Sequence, residues 1–109
     1  MKSEAQIQNE IRLALNPHAQ IFRINTGTVK MQDGRYFQTG VPKGYSDLSG
    51  FRFSDGKAVF LEVKNDKGRL RAEQKRFLSA MQKKGAVCGV ARSAEQAIQI
   101  VNGIEKQSF

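Results

Sequence analysis

The chain of 109 residues is the size of one domain, and its 39% hydrophobic and 26% charged content fits a folded globular protein, not a disordered or fibrous one. One cysteine excludes an internal disulfide, one histidine leaves too few ligands for a Cys/His zinc site, and no run approaches the ~18 apolar residues of a membrane span. The formal charge of +8 favours a polyanionic partner, and the segment 64–84 alone carries +6 of it. Any metal would have to be a hard, oxygen-liking one.

Ser3 to about Asn16 is predicted helical: Ser3 can cap it, Ile7, Ile11 and Leu15 recur at four-residue spacing, and Asn16-Pro17 ends it. The same start, MKSEAQIQNE, has no apolar stretch of the kind a signal peptide needs, so a cytoplasmic protein without a membrane partner is expected. Gln20–Thr26 alternates as a short strand, and Thr28–Thr39 splits around Asp33-Gly34, a dipeptide suited to a two-residue hairpin turn. A loop rich in Gly, Pro and Ser leads to a strand over Asp47–Phe53. After the turn at Asp55-Gly56 comes Lys57–Lys64 (KAVFLEVK), the strongest strand signal in the chain. A basic loop precedes a helix over Ala72–Lys84, with Phe77, Leu78 and Met81 on one stripe and Gly85 as its stop. Ala86–Ala91 reads as a buried strand containing Cys88, and Ser93 with Gln96 opens a last helix to about Val101. The tail NGIEKQSF is expected to fray. The order α-β-β-β-β-β-α-β-α gives an α/β domain spanning 1–109, a sandwich around one mixed β-sheet flanked by helices.

Alternation in Lys57–Lys64 puts Val59, Leu61 and Val63 on one face and Phe60, Glu62 and Lys64 on the other. A central strand should be apolar on both faces, so Glu62 and Lys64 stand out. They form either an ion pair at the strand end or a site in which the acid holds a divalent cation and the lysine orients a water or meets charge on a phosphate. If the strands around Asp55-Gly56 pair antiparallel, residues whose numbers sum to about 109–111 lie opposite, which sets Asp47 beside Glu62 and Lys64. Two carboxylates from adjacent strands suit Mg²⁺. Alternatively, Ser46-Asp47 is a simple turn. On the first helix Glu4 heads the buried stripe with Gln8, Ile11 and Leu15, while Glu10 is rotated toward solvent. Glu4 either faces the sheet or complements the helix dipole. Gln74 heads the stripe of the second long helix, and a buried glutamine needs a partner, either a group beside Glu62 or a loop carbonyl.

The series of an acidic first helix, R-I-N-T-G, G-V-P-K-G-Y-S-D-L, F-L-E-V-K and L-R-A-E-Q-K-R-F-L resembles the VRR-NUC (virus-type replication-repair nuclease) family, from Ser3 to about Ala91. That family is a branch of the restriction-endonuclease-like superfamily, with a D-Xn-E-x-K active site. Here Asp47 precedes Glu62-Val63-Lys64 by a gap of 14 residues, and Gln74 follows ten residues after Lys64. The family often has proline before the aspartate; this chain has Ser46. The resemblance implies a restriction-endonuclease-like core in which Asp47, Glu62 and the Val63 backbone carbonyl are metal ligands and Lys64 positions the attacking water. Gln74 and Glu4 match the family's glutamine and first-helix glutamate. It also implies Mg²⁺- or Mn²⁺-dependent hydrolysis of DNA phosphodiesters. Small single-domain members resemble virus- or phage-encoded proteins, so the resemblance further implies a homodimer that acts on branched DNA such as four-way junctions, in a bacterial cell or phage-infected host.

Lys67, Arg69, Arg71, Lys75 and Arg76 adjoin the candidate site in sequence and would neutralise flanking phosphates, with Lys43 doing so from the loop before Asp47. No recognition helix or zinc finger is evident, so backbone and shape recognition is expected over base reading. The hairpin with Lys30, Arg35, Tyr36 and Phe37 is either an arm for DNA or a partner subunit, or a plain solvent hairpin. Two rival readings remain at this point. One is a module that binds nucleic acid without cutting it, and the other is a small interaction protein whose basic face meets an acidic partner.

Overall fold

Elements follow one another as the patterning predicts: α1 (Glu4–Leu15), β1 (Ala19–Arg23), β2 (Thr26–Lys30), β3 (Tyr36–Gly40), β4 (Leu48–Arg52), β5 (Ala58–Val63), α2 (Ala72–Lys83), β6 (Val87–Ala91) and α3 (Ala94–Val101). The computed structural model describes residues 1–24 and 26–109; Asn25, within the predicted strand Gln20–Thr26, lies outside the described residues. Ser3 caps α1 reciprocally with Gln6, its hydroxyl accepting from the Gln6 amide at 3.2 Å while the Gln6 side chain accepts from the Ser3 amide at 3.0 Å. At α3 the second half of the box is redirected. Gln96 N donates to the Ser93 hydroxyl, but the Gln96 side chain accepts from the Arg92 amide, one residue before the cap.

Four strands form a mixed sheet in the order β1-β4-β5-β6. The first two pairings are antiparallel and β5–β6 is parallel. β2 and β3 form a separate two-stranded ribbon, so the single sheet expected from the strand count is divided in two. Ile7, Ile11 and Leu15 of α1 and Ala97, Ile100 and Val101 of α3 pack on one face of the main sheet, against Val59, Leu61 and Val63. That is why this half of β5 is wholly apolar. α2 covers β5 and β6 from the other side, where Leu78 is buried and Phe60 and Phe77 meet edge-to-face at 5.2 Å.

Two local expectations are corrected. The hairpin loop is one residue longer than a two-residue turn: Met31 N donates to Arg35 O, Gly34 N donates to Met31 O, and Gly34 takes a positive φ of 86°. This is a turn followed by a left-handed residue, the usual form of a three-residue loop. The tail does not fray. The Gln107 side chain accepts from Val90 N at 2.7 Å and donates to Val90 O at 3.1 Å, as a neighbouring strand would, and its backbone carbonyl takes the Gln82 side-chain amide at 2.6 Å. The free edge of β6 is thus covered, a common remedy for exposed strand edges.

Gln107→Ala removes both side-chain bonds to Val90. At roughly 0.5–1.5 kcal/mol per bond the variant should lose about 1–3 kcal/mol in urea-unfolding measurements. A frayed tail would give no loss.

Candidate active site

Register sets up the site. Leu48 pairs with Leu61 and Ser49 with Phe60, so the positions sum to 109 and the next step outward puts Asp47 opposite Glu62. Asp47 stands just before β4, and its Oδ2 accepts from the Val63 amide at 2.9 Å. A carboxylate thereby terminates the β4–β5 ladder, which fixes its position by a backbone contact instead of a mobile side-chain one.

Glu62 is 2% exposed. Its Oε1 accepts from the Gln74 side-chain amide at 3.1 Å, and Gln74, 4% exposed, accepts from Arg71 N at 2.8 Å through its own oxygen. Gln74 therefore uses both ends of its amide to join α2's first turn to the strand acid. Glu62 Oε2 is buried without a hydrogen-bond partner among the described residues, as is the hydroxyl of Ser46. Burial raises the Glu62 pKa first, the hydrogen-bonding proximity and negative charge of Asp47 raise it further, and Lys64 opposes them; the carboxyl is pushed up to about 9.

Tyr45, Phe60 and Phe77 form an aromatic cluster with ring centroids 4.7–5.6 Å apart, Phe60 standing on the same strand face as Glu62. Tyr45 also donates to the Ser49 hydroxyl at 3.2 Å. The loop before Asp47 is pressed onto α2 at Gly44, whose φ is +92° and where an added Cβ would stand 2.7 Å from Glu73 O. Lys43 and Arg71 both approach Glu73 Oε1, at 3.9 and 3.4 Å. The two basic segments predicted to flank the site thus meet at the start of α2. Lys67, Arg69, Lys75 and Arg76 are all exposed.

The Glu62–Lys64 ion pair is not formed; among the described residues no acidic group lies within 4.0 Å of the Lys64 ammonium. Lys64 follows β5 directly, half-buried, with its amide donating to Ala91 O at 3.2 Å. Glu4 accepts from the Asn65 amide at 3.4 Å, at the turn after Lys64, and Glu10 pairs with Lys2 at 2.9 Å near solvent. Among the described residues no three acidic, histidine or cysteine side chains converge. Sequence reasoning missed three contributors: Tyr45, the buried Ser46 and Arg92, which donates to Asn65 O and Gly68 O. Asn65, followed by Asp66-Lys67-Gly68, carried a turn signal that would have drawn attention to that segment.

Two adjacent carboxylates, one with a buried and unpartnered oxygen, fit a hard divalent cation, which would stabilise the ionised Glu62 that burial and then Asp47 disfavour. No described helix is long and apolar enough to cross a membrane. The family model described as the VRR-NUC domain matches residues 3–95. No curated protein matches the chain.

Because the folded protein holds the Glu62 proton more tightly than an ordinary glutamate near 4.5, this group's stabilisation is complete below about pH 4.5 and is lost as pH rises through about 9. In EDTA, Glu62→Gln should therefore be more stable than wild type by roughly 3 kcal/mol at pH 7, with the gap widening toward pH 9 and closing toward pH 5. Denaturant titrations of both proteins across that range check it; a pH-independent gap would mean Glu62 titrates normally.

Proposed function

The chain belongs to the VRR-NUC family, a family of nucleases, and on that premise we propose that it is a Mg²⁺- or Mn²⁺-dependent DNA endonuclease that acts on branched DNA such as four-way junctions. The observation that carries the reading is the Asp47–Glu62 pair with its unpartnered buried oxygen. Asp47 is anchored through Oδ2 and Glu62 through Oε1, so each keeps a second oxygen for a cation. The Val63 carbonyl adds a third. When bound, the ion would polarise the phosphoryl oxygen and lower the pKa of the attacking water. Lys64, engaged by no acid among the described residues, holds that water or meets the charge growing on the phosphate. Gln74 keeps Glu62 in place, and Glu4 supports the turn after Lys64. Lys43, Lys67, Arg69, Arg71, Lys75 and Arg76 neutralise the flanking phosphates.

Cutting two strands of a junction symmetrically takes two active sites, hence a homodimer. An apolar surface suited to one lies on the open half of the α2-side sheet face. Phe22 and Phe51 point out of adjacent strands there, 52% and 44% exposed, and Phe53, 52% exposed, meets Phe51 edge-to-face at 5.9 Å. β1 is also the outer strand of the sheet.

The deciding experiment incubates single-stranded, duplex, flap and four-way-junction DNA with the protein in Mg²⁺, Mn²⁺, Ca²⁺ or EDTA. Cleavage should need Mg²⁺ or Mn²⁺ and rank the junction first. Glu62→Ala should cut at least 10³-fold more slowly yet bind DNA about as tightly in EDTA, because without metal the buried carboxyl keeps its proton up to about pH 9 and the substitution removes no charge at neutral pH. DNA binding without cleavage in every metal would make the protein a non-catalytic module. For the dimer, Phe22→Glu with Phe51→Glu should halve the mass seen by sedimentation at unchanged helical content; an unchanged mass rejects this surface.

A further inference from the structure

We infer that Arg92 is a positioning residue for Lys64, acting through a latch on the turn 65–68. The inference rests on the nuclease reading, in which Lys64 serves the attacking water. Arg92 lies between the end of β6 and Ser93, the cap of α3. Its Nη1 donates to Asn65 O at 2.6 Å and to Gly68 O at 2.9 Å, the carbonyls at the two ends of one turn. That turn is closed by Gly68 N donating to Asn65 O at 3.2 Å, and by the Asn65 side chain accepting from Lys67 N and Gly68 N at 3.1 and 3.0 Å. The preceding residue of β6, Ala91, already accepts from the Lys64 amide. Three bonds from consecutive residues therefore tie the segment 64–68 to the end of β6.

The charge of Arg92 is directed at neutral carbonyls. Among the described residues it forms no ion pair, although a guanidinium is best matched by a carboxylate. A group used this way fixes backbone position. What it fixes is visible at Gly68. A Cβ there would stand 3.0 Å from Lys64 Cδ, 3.2 Å from Lys64 Cβ and 2.8 Å from Glu4 Oε2. The bare backbone of Gly68 is thus the wall against which the Lys64 stem lies. Glu4 holds the other side of the same turn through the Asn65 amide. Moving the turn by a fraction of an ångström moves the lysine, and a misplacement near 1 Å in a catalytic group can cost about 10²-fold in rate.

Three readouts separate the latch from simpler roles. In the metal-free protein, amide hydrogen exchange at Lys67 and Gly68 should quicken about tenfold or more in Arg92→Ala while the sheet amides keep their protection. On cleavable DNA, kcat should fall about 10–100-fold, while Kd for DNA in EDTA stays within about twofold. Arg92→Lys, which can still donate to a carbonyl, should recover most of the rate. Gly68→Ala, which displaces the Lys64 stem without touching Arg92, should reproduce the loss of kcat, and keeps the idea testable where Arg92→Ala unfolds. If Arg92 instead contacts phosphate, Kd rises with a salt dependence shallower by about one charge and kcat is intact, which overturns the latch. Unchanged exchange at the turn overturns it as well. A wild type that cuts no DNA removes the nuclease reading, while the exchange arm still decides whether the latch exists.

Discussion

A carboxylate taken out of water beside a second carboxylate is among the costliest arrangements a small domain can hold, and the structure is organised around one. Glu62 sits 2% exposed in the middle of the sheet's α2 side, beside Asp47, with a proton affinity far above that of an ordinary glutamate. An apolar residue at position 62 would continue the row begun by Phe60 and remove that penalty. Instead the fold builds supports for the acid. Gln74 donates to it, the Val63 amide anchors its neighbour, and an aromatic cluster of Tyr45, Phe60 and Phe77 packs on the same side of the sheet. Local departures from stable patterning of this kind mark functional sites.

Dividing the sheet into two unequal faces makes this tolerable. The α1/α3 side is continuous core, with Leu61, Val59, Ile11, Leu15 and Val101 fully buried, and it supplies the hydrophobic stability. The α2 side is thinner and carries the polar chemistry. α2 presents one turn, Gln74 then Leu78, to the interior, while its outer surface holds Lys75 and Arg76. One helix therefore both positions the buried acid and displays cations a turn away. The antiparallel β4–β5 ladder brings the two acids together from opposite sides of a hairpin, and the parallel β6 ends at the same rim, where Ala91 and Arg92 grip the segment after Lys64.

Much of this was legible before any coordinates, and for a physical reason. Period-2 alternation with a turn between two strands specifies register, and register alone predicts that Asp47 faces Glu62. Helical periodicity likewise turns Gln74 inward. Contacts that depend on side chains crossing long sequence separations could not be read that way. Gln107 mimics a strand partner for Val90 from a tail with no periodic pattern, and Arg92 directs Nη1 at two carbonyls that a sequence does not display. For Glu4 the helical pattern left two readings open, and its partner, the Asn65 amide 61 positions away, follows from the packing of α1 and not from its pattern. Of the two readings of Glu62 and Lys64, the ion pair is absent for a related reason. Two residues on one face of a strand share a direction, yet the strand ends at Val63 and Lys64 turns into the loop, where Gly68 and not Glu62 meets its stem.

Charge distribution separates catalysis from mere binding. A protein with a net charge of +8 that only held DNA would gain from neutral residues wherever its own acids approach the phosphates, because each such acid subtracts from the attraction. Glu73 fits that economy, since Lys43 and Arg71 approach it and cancel its charge at the surface. Asp47 and Glu62 do not. Among the described residues they have no cationic partner within 4.0 Å, and one is buried with an oxygen that has no hydrogen-bond partner. A carboxyl pair left without a cationic partner at the edge of a basic surface, with one member held protonated to about pH 9 by burial and its neighbour, makes physical sense if a mobile cation completes it: the ion would displace that proton and supply the positive charge the site lacks. A sheet that merely rested against a nucleic acid would have no use for it.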